Sequence, residues 1–244
     1  MSAKATASAN RRADATRKAI LRAAIREFSE HGLAGARTDT IAASAKVNKA
    51  LLYYYFRSKT GLYAAAIEEV TSTIAERALA ALDPEHSPGE RLLRTALQHF
   101  DRIFSQRDFQ SLLQHEMVRM RKGESEAMPL LVKNVFKPLM DKLQQSVCEG
   151  IQSGELLQMD WLQVVYSALG ANVLYFLSAP MMRHVLPFDP MDPAAIEARR
   201  KIAVQFIGST LFVDRVHGAK LARRVLAEMP MPRPVKTRVW RKCL

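Results

Sequence analysis

Between Thr38 and Lys59 the chain reads TDTIAASAKVNKALLYYYFRSK, and its apolar residues fall at helical spacing on two short segments joined by a tight turn. Ile41, Ala42 and Ala45 share one face of the first segment, Val47 follows the turn, and Leu52, Tyr55 and Phe56 return at i, i+3 and i+4 on the second. Both inner faces are therefore apolar. The opposite face of the second segment carries Lys49, Ala50, Tyr53 and Tyr54, side chains suited to phosphates, base edges and thymine methyls. The pattern predicts a helix-turn-helix with its recognition helix over about Lys49 to Tyr55.

The remainder also reads as helix. β-branched alternation is scarce, Ala, Leu, Arg, Glu and Gln dominate, and no glycine-rich phosphate loop follows a strand-like run, so the expected fold class is all-α. Ile20, Leu21, Ala24, Ile25 and Phe28 mark a first helix from about Asp14 to His31, closed by Gly32. A longer helix runs from Lys59 to about Leu82, with Leu62, Ala66, Ile67, Val70 and Ile74 inward, and stops at Asp83-Pro84 and Ser87-Pro88. Further helices are expected over 89–105, 108–121, 127–153, 161–177, 194–213 and 217–229, with Pro138 forcing a kink or a division near Phe136. This gives a disordered basic arm at 1–11, a helix-turn-helix domain at 12–74, a helical body at 75–229 and a basic mobile tail at 230–244.

Charge separates these parts. The formal net charge is +12, yet residues 61–229 hold 19 cations against 20 acids, while residues 1–60 hold 12 against 4 and residues 230–244 hold five against none. A basic N-terminal module on a near-neutral body points to nucleic acid rather than to general polyanion affinity. Cys148 and Cys243 have no metal-ligand spacing, and no His/Cys/Asp/Glu cluster suggests a metal or cofactor. The stretch Trp161 to Ala179 has membrane-span length, but Gln163, Ser167, Gly170, Asn172 and Ser178 interrupt it, so it reads as a buried helix. With no apolar leader, a cytoplasmic protein is expected. Nucleophile elbow, zinc-protease pair and paired-glycine cofactor fingerprint are all missing from the sequence, which argues against an enzyme.

The segments ILRAAIREFSEHG, IAASAKV and LLYYYFRSKTGLYAAAIEE resemble the TetR family of bacterial transcriptional repressors, the aromatic run followed by Ser58-Lys59 being the most specific of them. The resemblance implies a phosphate contact at Thr38, capping and backbone proximity at Asn48, a groove-facing start of the recognition helix at Lys49, Ala50 and Leu51, base or phosphate contacts at Tyr53 and Tyr54, and a phosphate contact at Lys59, with Leu52 and Phe56 as core. Three residues depart from the family pattern. Lys46 stands where glycine is usual in the turn, Leu51 where threonine is frequent, and Asp39 near a position that reads bases through arginine.

The resemblance further implies a homodimer on a pseudo-palindromic double-stranded operator and a small, largely apolar effector bound in the body. A single recognition helix reads too few base pairs on its own, which agrees with pairing. The helices at 161–177 and 194–213 are expected to form the dimer surface, because the first is apolar nearly all round and carries Gly170 and Ala171. Phe100, Phe104, Met117, Met120, Met140, Trp161, Tyr166 and Tyr175 are the candidate effector walls, and His99 and His115 candidate hydrogen-bonding partners. The alternative is a DNA-binding protein of the same fold with no effector, acting architecturally or through a protein partner.

Overall fold

The computed structural model describes residues 2–232. The helices are α1 (Ser2–Gly35), α2 (Thr38–Ala45), α3 (Lys49–Phe56), α4 (Lys59–Ala81), α5 (Pro88–Ser105), α6 (Arg107–Arg121), α7 (Ala127–Leu131), α8 (Lys137–Gln152), α9 (Trp161–Met182), α10 (Pro193–Thr210) and α11 (Arg215–Glu228). Among the described residues the extended pairing is an isolated antiparallel bridge, Leu156 to Phe212, so the chain is all-α. The tail expected at 230–244, with Cys243, lies outside the described residues from 233 onward.

Helix boundaries follow local chemistry. Asn48, Ser87, Asp160 and Asp214 each accept backbone N–H bonds at the starts of α3, α5, α9 and α11. Gly32 has φ 65°, ψ −179°, so α1 kinks there before its last residues. A single π turn, Val132–Phe136, separates α7 from α8 just ahead of Pro138, where the missing proline N–H would break the regular ladder.

Two expectations change. Helix α1 runs from Ser2 and takes in the residues assigned to a disordered arm, because the alanine-rich start has high helix propensity and meets no breaker before α1 proper. Helix α9 passes Leu177 and includes Pro180, ending two residues beyond it at Met182.

The described residues divide into two compact units: residues 2–74 with 108–135, and residues 75–107 with 136–232. The sequence places all of 75–229 in one body; by contacts, residues 108–135, most of α6 and all of α7, cluster with the first unit. In the first unit Ile20, Leu21, Phe28, Ile41, Leu52 and Leu62 are fully buried, and the Phe28 and Tyr63 rings meet edge to face at 4.9 Å. In the second, α5 packs against α8, α9, α10 and α11, with Leu92, Leu93, Ala96 and Leu97 in the main core. Helices α10 and α11 cross where Gly208 faces Gly218; a Cβ on Gly208 would stand 2.5 Å from the Gly218 carbonyl oxygen, so only glycine fits. Arg200 grips Asp101 with two bonds of 2.7 Å and also donates to the Met229 carbonyl, tying α5 to α10 and to the end of α11.

Candidate nucleic-acid interface

The turn between α2 and α3 is made by Lys46, which is left-handed at φ 57°, ψ 42° and whose N–H reaches the Ala42 and Ala43 carbonyls. Lysine accepts a conformation that glycine adopts freely, at a cost of about 1 kcal/mol. Asn48 then caps α3, its Oδ1 accepting from the Leu51 N–H at 2.7 Å. Leu52 and Phe56 are buried, which turns the opposite side of α3 outward: Tyr54 is 72% exposed and Tyr53 37%, and Lys49 and Ala50 are exposed beside them. Leu51 is half-buried. Tyr55 is half-buried too, its ring edge-on to Tyr54 at 5.3 Å.

At the start of α2 the Arg37 side chain makes no capping bond, so the first amides of that helix keep their positive ends open to an anion. Thr38 is only 8% exposed, which favours its amide over its hydroxyl as a phosphate donor. Ser58 caps α4 by accepting from the Gly61 N–H at 2.9 Å, and Lys59, the first residue of α4, donates from Nζ to the Ala34 carbonyl at 3.1 Å. Lys59 therefore also fastens α4 to the end of α1.

Asp39, which the resemblance puts near a base-reading position, is paired. Its carboxylate meets Lys49 Nζ at 2.9 Å, and the hydrogen bond holds the Lys49 ammonium above its usual value. The pair is exposed and joins the starts of α2 and α3. Two further cations, neither of them a DNA contact in the sequence reading, stand beside this surface. Lys46 and Arg57 flank α3, both exposed and both at positive φ, 57° and 66°. The sequence marks Lys46 only as the turn residue; the structure adds that both cations are exposed at the two ends of the recognition helix.

The eight candidate effector residues do not gather. Phe100, Phe104 and Tyr175 share an aromatic cluster with Phe176 and Ile196, where the Tyr175 hydroxyl donates to the Pro190 carbonyl at 2.6 Å. Met140 and Trp161 pack in another cluster with Leu82, Leu143 and Val165. Met117, Met120 and Tyr166 are 56%, 50% and 66% exposed, and the two methionines belong to the first unit. The residue types that marked them as candidate walls could not tell an inward from an outward face. His99 of α5 is half-buried, its Nδ1 enclosed and lacking a hydrogen-bond partner, and burial pushes its imidazole down to about 3.

Helix α9 is long and apolar enough to cross a membrane by length and composition, but its pattern is one-sided. Val164, Val165, Ala168 and Asn172 are buried, while Tyr166, Leu174, Leu177 and Met181 form an exposed stripe with Gly170 in its middle. Ile202 and Phe206 continue the apolar face on α10, and between the two helices lies an open pocket of about 230 Å³ whose walls include Ser167, Ala171, Asn172 and Arg199.

Residues 20–66 match the family described as bacterial regulatory proteins, tetR family, and residues 88–207 match a tetracyclin repressor-like C-terminal domain. The chain is 42% identical over 82 residues to the HTH-type transcriptional repressor SCO4008 of Streptomyces coelicolor, covering 33% of this chain and 42% of that protein. It is 28% identical over 187 residues to the HTH-type transcriptional regulator RutR of Escherichia coli K12, covering 75% and 84%. Among solved structures, the putative transcriptional regulator SCO4942 of Streptomyces coelicolor superposes with a TM-score of 0.61 at 26% identity over 80% of this chain and 98% of that one. A putative regulator from Saccharomonospora viridis, solved in complex with choline, gives 0.64 at 17% identity over 80% and 97%, a likeness of fold. A capped, outward-facing α3 on a basic three-helix module, followed by a helical body with its own family pattern, makes this chain a member of the TetR family and a DNA-binding transcriptional regulator.

Proposed function

We propose that the protein is a cytoplasmic homodimeric repressor that reads a pseudo-palindromic operator through α3 and leaves it when a small, largely apolar effector binds the body. The observation that carries this is the exposed apolar stripe of Tyr166, Leu174, Leu177 and Met181 on α9, continued by Ile202 and Phe206 on α10. A protomer leaves that face wet; a second copy, packed on it as a four-helix bundle, covers it and brings two recognition helices to one duplex. In the DNA contact, Ala50, Tyr53 and Tyr54 enter the major groove, Lys49 at the groove-facing start of α3 reaches the adjacent phosphate, and Leu51 gives at most an apolar touch. The α2 amides at Thr38, the Asn48 end of α3 and the remaining Lys59 N–H groups meet phosphates, and Lys46 and Arg57 add two more cationic contacts.

Enrichment of bound duplexes from a random-sequence library tests the reading directly. The expected product is a two-fold symmetric site whose halves are spaced by whole helical turns. Recovery of a single asymmetric half-site, or of no preferred sequence, overturns it. The effector is tested by thermal-shift screening of small molecules followed by DNA titration with each hit. The dispersal of the eight candidate residues over separate clusters is the observation that favours the effector-free alternative, which a broad screen without a binder would support.

A further inference from the structure

Helices α9 and α10 meet through short side chains. Ser167, Ala168, Ala171 and Asn172 recur at i, i+1, i+4 and i+5 on α9, and Arg199, Ala203 and Phe206 fall on one side of α10. The alanines cannot fill the space between the two backbones, which leaves the open pocket of about 230 Å³. Apolar side chains make most of its wall, and two polar groups interrupt it. Asn172 is fully buried; its Nδ2 donates to the Ala96 carbonyl of α5 at 3.0 Å, which fixes the orientation of the amide and leaves Oδ1 without a hydrogen-bond partner. On the α10 side, Arg199 has no carboxylate partner among the described residues. Its guanidinium donates to the Ala171 carbonyl at 3.3 Å, lies over the Tyr175 ring at 5.5 Å from the centre, and keeps an enclosed Nε with no acceptor.

Neither group is at ease there. A carbonyl oxygen taken out of water without a donor, and a half-buried cation without an anion, lose hydration that nothing in the protomer restores. Burial accordingly pulls the Arg199 guanidinium below its usual range. Neighbouring charges in the same unit are matched: Arg200, the next residue, is closed by Asp101, and Glu90 by Arg94 and Arg224. Polar groups left unmatched on an apolar concave wall are the usual form of a small-molecule site. A cavity of about 150 Å³ suffices for benzene, so this pocket takes one ring with short polar substituents.

We infer that the α9–α10 pocket binds a small aromatic carboxylate that carries a hydroxyl group, with the carboxylate on Arg199, the hydroxyl donating to Asn172 Oδ1, and the ring against Ala203 and Phe206. The inference deepens the reading of an effector-bound body, for which it names a site and a ligand class. Neither polar contact is enough alone. Without the carboxylate the guanidinium stays unpaired; without the hydroxyl the ring seals the Asn172 oxygen away from any donor, so a ligand lacking either group is rejected. The pocket opens on the face that exposes Ile202 and Phe206, so the rival occupant is a side chain of a second copy.

The test is calorimetric titration of the full-length protein with the three hydroxybenzoate isomers, with benzoate and phenol as controls. At least one isomer is expected to bind once per protomer, about tenfold or more tighter than either control. Arg199→Gln should weaken that isomer by about tenfold and leave phenol unchanged. Ala171→Trp, at an exposed position on the pocket wall, should abolish binding by filling the space. Should Ala171→Trp fail to fold by circular dichroism, Arg199→Gln decides alone. If no isomer binds, if benzoate or phenol binds as tightly, or if both folded variants keep wild-type affinity, the inference falls, while the wider effector screen still tests the body. Binding by Gly170→Arg but not by wild type would show that a second copy fills the pocket, and the inference falls again. If an isomer binds here yet leaves operator affinity unchanged, the site stands and its reading as the effector site does not.

Discussion

Tyr53 and Lys49 sit one turn apart on the outward side of α3, exposed and off its buried face. Tyr53→Ala should therefore weaken operator binding by about 1–3 kcal/mol and relax base preference, with the unfolding midpoint unchanged. Lys49→Ala should cost about tenfold in affinity without altering preference. Competition titrations against single-base operator variants separate the two effects, and equal loss on every variant from Tyr53→Ala would place that ring on the backbone instead. His99 makes a second residue-level prediction. Its folded value of about 3 lies below the ordinary 6.5, so the unfolded chain binds the proton first. Stability from this group is present above about pH 6.5 and is lost as pH falls toward 3. His99→Gln should flatten the urea-unfolding free energy across that window; a slope identical to wild type would assign the acid sensitivity to other groups.

Helix α9 shows what an element can reveal and conceal. A side chain added at Gly170 meets nothing within 4 Å in the protomer, so Gly170→Arg should fold normally and place a charge in the centre of the exposed apolar stripe. Light scattering is expected to give a dimer for wild type and a monomer for the variant at micromolar concentration; a dimeric variant would move the interface elsewhere. The sequence already marked this helix as too apolar for one burial surface, and it located α2, the turn and α3 from the spacing of Ile41, Ala42, Leu52 and Phe56. Those patterns are local, fixed by 3.6-residue periodicity and by capping. What stayed hidden depends on contacts between distant segments: the return of residues 108–135 to the first unit, where His115 meets Gly32, the Lys59 bond to Ala34, and the separation of Phe100 from Met140. Composition marks methionines and aromatics as apolar, but only packing decides whether Met117 turns inward.

For the whole molecule, release from DNA by an effector is a coupling between two sites. If a compound lowers operator affinity, the operator must lower affinity for that compound by the same factor, typically about 5- to 150-fold. Calorimetric titration of a screening hit into free and duplex-bound protein measures both legs, and unequal factors would show that the hit acts on the DNA or on aggregation. Salt dependence is likewise a property of the assembled complex, and the Asp39–Lys49 pair changes how it is read. Ordinary lysines reach a phosphate by shedding small anions and displacing small cations from the duplex, and the logarithmic slope counts the ions set loose. Lys49 arrives with its neutralising partner built into the chain. When a phosphate takes the ammonium, the Asp39 carboxylate is left behind and recruits a cation of its own, so the exchange liberates almost nothing. A slope measured on this protein will undercount its phosphate contacts by about one per recognition helix, and Asp39→Asn should steepen it.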